Sequence, residues 1–129
     1  VRPDIVQRNV QRMQQKAESL GVSLRTNTKT TKTYEGAFLA TAGTKRGIAV
    51  STLAEAEFFA DRGFDDILYA FPITADKVPR ARALAARLDA FHVMVDHKDQ
   101  LAALLADPPE QEEGGGGPKK WSVFLMVDA

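Results

Sequence analysis

Cysteine is absent from the 129 residues of this chain, and histidine occurs only twice. The missing cysteine excludes disulfides and thiolate metal sites within the sequence. Net charge is missing too, because 17 basic residues balance 17 acidic ones, so nothing draws the chain electrostatically to nucleic acid or anionic membranes. No apolar run approaches the ~20 residues that span a bilayer, and no signal-peptide pattern opens the sequence. We therefore expect a cytoplasmic protein without nucleic-acid or membrane partners.

What the sequence does contain is a regular exchange of helix and strand patterns. Apolar residues recur at helical spacing in some segments, while others are short apolar runs bounded by glycine, proline or aspartate. Asp4 and Gly21 are expected to cap the first helix, and Thr52 with Glu55 forms a capping-box pattern. The predicted helices are 4–20, 34–42, 52–63, 77–89 and 98–106, and the predicted strands are 22–28, 47–51, 66–71, 91–96 and 121–127.

This alternation predicts an α/β fold with about five parallel strands. Two architectures fit it: an open doubly wound sheet and part of a (β/α)₈ barrel. Periodicity alone leaves both open. The glycine-rich segment between the last helix and the last strand, within residues 107–120, lacks the ending and the following helix of a phosphate loop. We interpret it as a flexible charged connection.

The active sites of parallel α/β folds lie at the carboxyl ends of the strands, and six polar or aromatic residues stand at the five strand ends predicted here. Lys29 is the notable one, because its amine forms a Schiff base with an aldehyde when desolvation or a nearby cation, such as Arg25, holds it unprotonated. A solvated strand end is the alternative. The two histidines, His92 and His97, are not spaced to converge on a metal, and we predict no metal site. The strand-end residues are Lys29, Ser51, Tyr69 with Phe71, Asp96 and Asp128.

The run from Arg25 to Lys32, RTNTKTTK, resembles the motif R-P-H-x-K-T-H-K of the alanine racemase-like pyridoxal phosphate enzymes. The segments GIAVSTLAEAEFFADRGFDDILYAFP and VFLMVD resemble family segments in the same order. The branch that contains D-serine dehydratases and D-threonine aldolases is the most similar, and within it the vertebrate D-serine dehydratase type. The motif's proline and both of its histidines are replaced here, by Thr26, Asn27 and Thr31.

The resemblance implies a partial (β/α)₈ barrel of the alanine racemase N-terminal type and a pyridoxal phosphate cofactor. Lys29 matches the lysine that holds the cofactor and moves the substrate's proton. From their positions, Asn27 on the same strand face and Ser51 and Tyr69 near neighbouring strand ends are expected to help bind the cofactor, with a helix cap for Ser51 and core packing for Tyr69 as the alternatives. The implied reaction converts D-serine to pyruvate and ammonia. An intact relative would be a homodimer with a D-amino acid substrate and zinc, but no zinc ligand of the family matches a residue of this chain.

The family's remaining barrel strands and C-terminal β-domain have no counterpart in residues 1–129. We therefore expect one partial barrel domain, either a piece of a longer protein or a shortened copy, that is inactive by itself. Two alternatives remain open: a non-catalytic protein that binds pyridoxal phosphate, and a degenerate copy without activity.

Overall fold

A parallel sheet of five strands runs through the part of the chain that the computed structural model describes, residues 2–109 and 120–127. Every strand pairs in parallel with its neighbour, in the order β1-β2-β3-β4-β5. The strands are β1 Thr26–Asn27, β2 Ile48–Val50, β3 Asp66–Pro72, β4 Ala90–Val95 and β5 Ser122–Leu125. The helices are α1 Pro3–Ser19, α2 Tyr34–Ala40, α3 Leu53–Ala60, α4 Val78–Arg87 and α5 Lys98–Ala106, with a short 3₁₀ turn at Ala75–Lys77.

The strand order distinguishes an open doubly wound sheet from part of a (β/α)₈ barrel, the two architectures that the sequence left open. A doubly wound sheet reverses its order at a switch point, whereas a barrel adds each strand beside the previous one. Here the order never reverses. Because parallel crossovers are right-handed, such an order places successive helices on the same face of the sheet. The described residues thus form a five-stranded arc of a barrel-type α/β fold, which confirms the predicted class.

The apolar core lies between the sheet and these helices. Strand residues of one alternate set, including Ile48, Val50, Ile67 and Val93, are fully buried in it. The run 47–51 was expected to be a buried strand, and Ile48–Val50 is buried throughout. The other alternate set points to the opposite face of the sheet, which is the interior side of a barrel arc.

Most elements differ from the sequence expectations by one to four residues at an end, and α1 and β1 differ for identifiable reasons. Asp4 does not cap α1: the helix starts at Pro3, which proline's fixed φ favours at the first helical position, and Asp4 pairs with Arg2 at 2.8 Å. β1 is two residues long instead of seven, because its partner β2 begins only at Ile48 and offers no ladder to the earlier residues. Within the described ranges, no helix is long and apolar enough to cross a membrane.

β3 continues through Pro72, where the sequence had suggested a break. Three steps along β3, from Tyr69 to Pro72, match one step along β4, from Val93 to Met94, so the strand bulges at this point. The bulge exposes Phe71 at the carboxyl end of the sheet. Residues 110–119 and 128–129 lie outside the described ranges, and with them most of the predicted flexible connection and Asp128.

Candidate functional site

A tight turn at the carboxyl end of β1 carries Lys29. The Lys29 amide donates to the Asn27 side-chain oxygen at 2.9 Å, and the Lys32 amide donates to the Thr28 carbonyl at 2.8 Å. Thr28 fixes the turn to the sheet, because it is buried and its hydroxyl and amide both donate to the Ala49 carbonyl on β2. The side chain of Asn27 therefore shapes the backbone on which Lys29 stands.

The Lys29 side chain is exposed, and its ammonium has no hydrogen-bond or ion-pair partner among the residues that the structure describes. Arg25 precedes it on the same strand face, but the Arg25 guanidinium is engaged elsewhere. It lies 2.8 Å from the Asp66 carboxylate and donates to the Ile48 carbonyl. Lys29 thus presents its amine at the strand end without a partner among the described residues.

Lys32 connects this turn to the start of α3. Its ammonium lies 2.8 Å from one carboxylate oxygen of Glu55, and the other oxygen accepts the backbone amides of Ser51 and Thr52. The Thr52 hydroxyl accepts the Glu55 amide in return, so the predicted capping box is present. Burial raises the pKa of the Glu55 carboxyl, but the Lys32 ammonium and the two backbone amides outweigh it and leave the pKa below its ordinary value.

Ser51 and Tyr69 share a cleft of about 280 Å³ between the amino ends of α3 and α4, which we name the α3–α4 cleft. Asn27 and Lys29 are not in its lining, so the structure places the four candidate cofactor residues in two separate groups. Tyr69 is only 2% exposed, and its ring packs in the core. The lining includes Ser51, Leu53, Ala54, Tyr69, Lys77 and Arg80.

The remaining strand-end candidates are engaged in local contacts. Asp96 exchanges hydrogen bonds with Gln100 at 2.8 Å, and His97 caps α5, whose bounds match the predicted helix. His92 lies at the amino end of the sheet, on the barrel-interior face. Its ring nitrogens contact Ser122 at 2.7 Å and Asp66 at 3.3 Å.

Burial lowers the pKa of His92, and the Arg25 charge lowers it further, while Asp66 opposes both. Contacts among Arg25, Asp66, His92 and Ser122 thus connect the residue before β1 with β3, β4 and β5. No set of three or more His, Asp or Glu side chains in residues 2–109 and 120–127 is placed to hold a metal ion.

The described residues, five parallel strands in unbroken order, have a fold similar to that of alanine racemase-like α/β barrel proteins. A crystal structure of an alanine racemase-like protein from Idiomarina loihiensis matches with a TM-score of 0.80 and 35% identity. That match covers 95% of this chain and 31% of the other. No protein-family model matches the chain.

Two named relatives indicate which enzymes the chain is similar to. A D-serine dehydratase from Dictyostelium discoideum is 39% identical over 129 positions, which cover 96% of this chain and 32% of that protein. A D-threo-3-hydroxyaspartate dehydratase from Delftia sp. strain HT23 is 40% identical over 103 positions, 80% of this chain and 27% of that protein. The resemblance inferred from the motif is confirmed, and the chain spans about a third of the length of these relatives.

Sequence reasoning did not find three features of the site. The partner of Lys32 and the burial of Thr28 depend on how β1 meets β2, which no local pattern encodes. Lys77, on the cleft wall, lies in a helix start that reads as ordinary surface. The capping-box signal at Thr52 and Glu55 was visible, and it marked the correct helix start.

Proposed function

We propose that this chain is the cofactor-bearing part of a pyridoxal-phosphate-dependent D-serine dehydratase, and that Lys29 is the residue that holds the cofactor. The single observation that carries the proposal is the position of Lys29: an exposed side chain on a hydrogen-bonded turn at the carboxyl end of a parallel strand. Chemistry in barrels is located at this end of the sheet. The match of Lys29 to the family lysine, within a chain 39% identical to a D-serine dehydratase, supports the same assignment.

The residues present fit an aldehyde cofactor with a phosphate group. Lys29 would hold the cofactor through its amine, which is able to react with an aldehyde. Asn27 and Thr28 would keep the turn that carries Lys29 in place. Ser51 and Tyr69 supply hydroxyl groups one and two strands away, and we keep them as proposed cofactor contacts.

When bound, the cofactor supplies the electron sink that stabilises negative charge on the substrate's α-carbon. The part of this chain in the reaction is proton transfer. Lys29 would be the group that takes the α-proton of D-serine. Loss of the β-hydroxyl with a proton as water, followed by hydrolysis of the resulting enamine, would give pyruvate and ammonia.

Enclosure of Lys29 is the element that the described residues do not supply. Turnover needs a site closed to water, whereas an adduct between an amine and an aldehyde also forms in an open site. We propose that the rest of a barrel provides this cover in a full-length enzyme, together with a homodimer interface and any zinc ligands, and that such an enzyme acts on D-amino acids in the cytoplasm. By itself, the chain is expected to turn over D-serine negligibly.

A second candidate is a protein that binds pyridoxal phosphate without catalysis. The replacement of the motif's proline and both histidines by Thr26, Asn27 and Thr31 favours it, because ionisable groups beside the lysine are lost while the lysine remains. A degenerate copy without cofactor binding is the third candidate, and it rests on the same substitutions.

Titration of the purified chain with pyridoxal phosphate separates these candidates. The adducts are reduced with borohydride and mapped on peptides, with Lys29→Ala as the variant and Lys98→Ala as the control. We expect an absorbance band and a label concentrated on Lys29. Label spread evenly over surface lysines would contradict cofactor binding and favour the degenerate copy. Label on Lys29 without pyruvate formation by the intact parent protein would select the non-catalytic binder.

A further inference from the structure

We propose that the α3–α4 cleft binds a phosphate group. The amino end of α3 forms one wall, and no acidic side chain belongs to the lining. Its volume of about 280 Å³ is several times the roughly 30 Å³ share of one water molecule in liquid. The proposal does not require that Lys29 reacts with an aldehyde.

Backbone donors at the start of α3 are the first element of the site. The first amides of an α-helix have no acceptor within the helix. In α3 the Glu55 amide is taken by the Thr52 hydroxyl, but the amides of Leu53 and Ala54 have no acceptor among the described residues. Both residues line the cleft. Two free amides at a helix amino end suit a negatively charged oxygen.

Tyr69 is the second and independent element. The residue is 98% buried, being 2% exposed, yet its hydroxyl makes no hydrogen bond with any residue that the structure describes. No enclosed side-chain oxygen or nitrogen in this part of the chain lacks a hydrogen-bond partner. The Tyr69 hydroxyl must therefore keep its access through the cleft that the residue lines. A buried tyrosine normally finds a partner for its hydroxyl, and here the partner comes through the cleft, from water or from a ligand that replaces it.

The charges around the cleft favour an anion. Lys77 lies on the cleft wall and has no ion-pair partner among the described residues. Three carboxylates stand nearby. Glu55 pairs with Lys32 at 2.8 Å, and Glu57 pairs with Arg80 at 2.6 Å. The exposed Asp76 interacts with the Lys77 charge without an ion pair, so it offsets part of the attraction of Lys77 for an anion. Amides, hydroxyls and an ammonium together offer more donors than the two oxygens of a carboxylate accept, which favours a phosphate group with three or four oxygens.

Inorganic phosphate is the probe, and the chain carrying Lys29→Ala is the protein, so that no aldehyde chemistry contributes. We expect the NMR amide signals of Leu53 and Ala54 to shift with a saturable dependence on phosphate. Tyr69→Phe and Lys77→Met should each weaken binding by about tenfold or more, because each removes a donor to a charged group. Lys98→Met, a lysine outside the cleft, should leave the affinity unchanged.

Three outcomes would overturn the proposal. Shifts that rise without saturation, shifts that chloride reproduces at the same ionic strength, or equal weakening by Lys98→Met and Lys77→Met would each show general attraction of anions to surface lysines. The amide spectrum of each variant reports whether it is folded, and Tyr69→Phe retains the ring that packs in the core.

A second comparison identifies the source of the phosphate group once saturable binding is seen. The chain with Lys29 intact is labelled with pyridoxal phosphate and, in parallel, with pyridoxal, which lacks the phosphate. If the cleft holds the cofactor's phosphate, Tyr69→Phe lowers Lys29 labelling by pyridoxal phosphate but not by pyridoxal. If the cleft serves free phosphate or another phosphate ester, Tyr69→Phe leaves both labelling reactions unchanged. Either result agrees with a phosphate site in the cleft. If Lys29 is not labelled at all, that result contradicts the proposed cofactor role of Lys29 but not the phosphate site.

Discussion

Lys32 and Glu55 join the turn after β1 to the first turn of α3, with 2.8 Å between the ammonium and the carboxylate. The same carboxylate accepts the amides of Ser51 and Thr52, so one side chain organises two of the loops at the carboxyl end of the sheet. Lys32 itself adopts a left-handed backbone conformation, with φ of 48°, at the end of the turn that carries Lys29. Glu55 is thus a structural link between the lysine turn and the α3–α4 cleft.

The hydrogen bonds of Glu55 should matter more for stability than its charge. Glu55→Ala removes the acceptor of two backbone amides and should lower the free energy of unfolding by about 1–2 kcal/mol. Glu55→Gln keeps an acceptor oxygen and loses the ion pair with Lys32, which is largely exposed, so a loss of about 0.5 kcal/mol or less is expected. Urea unfolding measures both, with the exposed Glu35→Ala as control. Equal losses for the two Glu55 variants would contradict this ranking.

Stability should decrease as the pH falls through the range where a histidine titrates. The pKa of His92 is lowered in the folded chain by burial and by Arg25, so the unfolded chain takes up the proton first. The contribution of His92 to the free energy of unfolding is then fully present above the ordinary histidine pKa of about 6.5. It is lost as the pH drops from there toward the pKa of His92 in the folded chain. Urea midpoints at about pH 8 and about pH 5.5 bracket this window.

His92→Gln removes the proposed titrating group and should abolish this pH step, whereas His97→Gln, on the exposed cap of α5, should retain it. A step of the same size in the His92→Gln variant would mean that another group is responsible.

Lys29→Ala should leave the stability nearly unchanged. The Lys29 side chain is exposed and has no partner among the described residues, and only its backbone amide contacts Asn27. Surface changes of this kind usually alter the free energy of unfolding by about 0.5 kcal/mol or less. Thermal or urea unfolding tests the expectation. A large loss would show that Lys29 makes a structural contact, and a lost cofactor adduct in this variant could then not be read as lost chemistry.

Local sequence patterns predicted the helices and strands more accurately than the contacts between them. The apolar run 47–51, the Thr52–Glu55 capping box and the helix Lys98–Ala106 all appear as expected, since each depends on neighbouring residues alone. The first helix start was misplaced by one residue because Pro3 suits the first helical position. The contacts that shape the site join residues more than twenty positions apart, such as Arg25 with Asp66 or Lys32 with Glu55, and no periodicity encodes them.

Tyr69 should tolerate the loss of its hydroxyl but not of its ring. Tyr69→Phe removes a hydroxyl that has no partner among the described residues, so a change of about 0.5 kcal/mol or less is expected. Tyr69→Ala empties a buried aromatic site and should cost about 3–5 kcal/mol. Urea unfolding distinguishes the two. A large loss for Tyr69→Phe would reveal a structural hydrogen bond of the hydroxyl and would remove the main support for an open donor in the α3–α4 cleft.

Gly47 holds β1 against β2, and its replacement should disturb the lysine turn. Its φ of 72° lies in the left-handed region, and a Cβ there would stand 2.9 Å from the Leu24 carbonyl oxygen. Gly47→Ala should therefore lower the free energy of unfolding by about 2 kcal/mol or more, from backbone strain and the clash together. Gly21→Ala is the matched control, because Gly21 has a φ of 64° but nothing within 4 Å of its added Cβ.

Strain alone should cost the Gly21→Ala variant about 1 kcal/mol. The Gly47 amide and carbonyl also hydrogen-bond to Asp66 and Thr26, so a shift at this residue moves β1 relative to β3. Because β1 carries the Lys29 turn, Gly47→Ala should broaden or shift the amide signals of Asn27 and Thr28, whereas Gly21→Ala should not. Equal destabilisation by the two variants, with the Thr28 signal unmoved, would mean that β1 can shift away from β2 without disturbing the lysine turn.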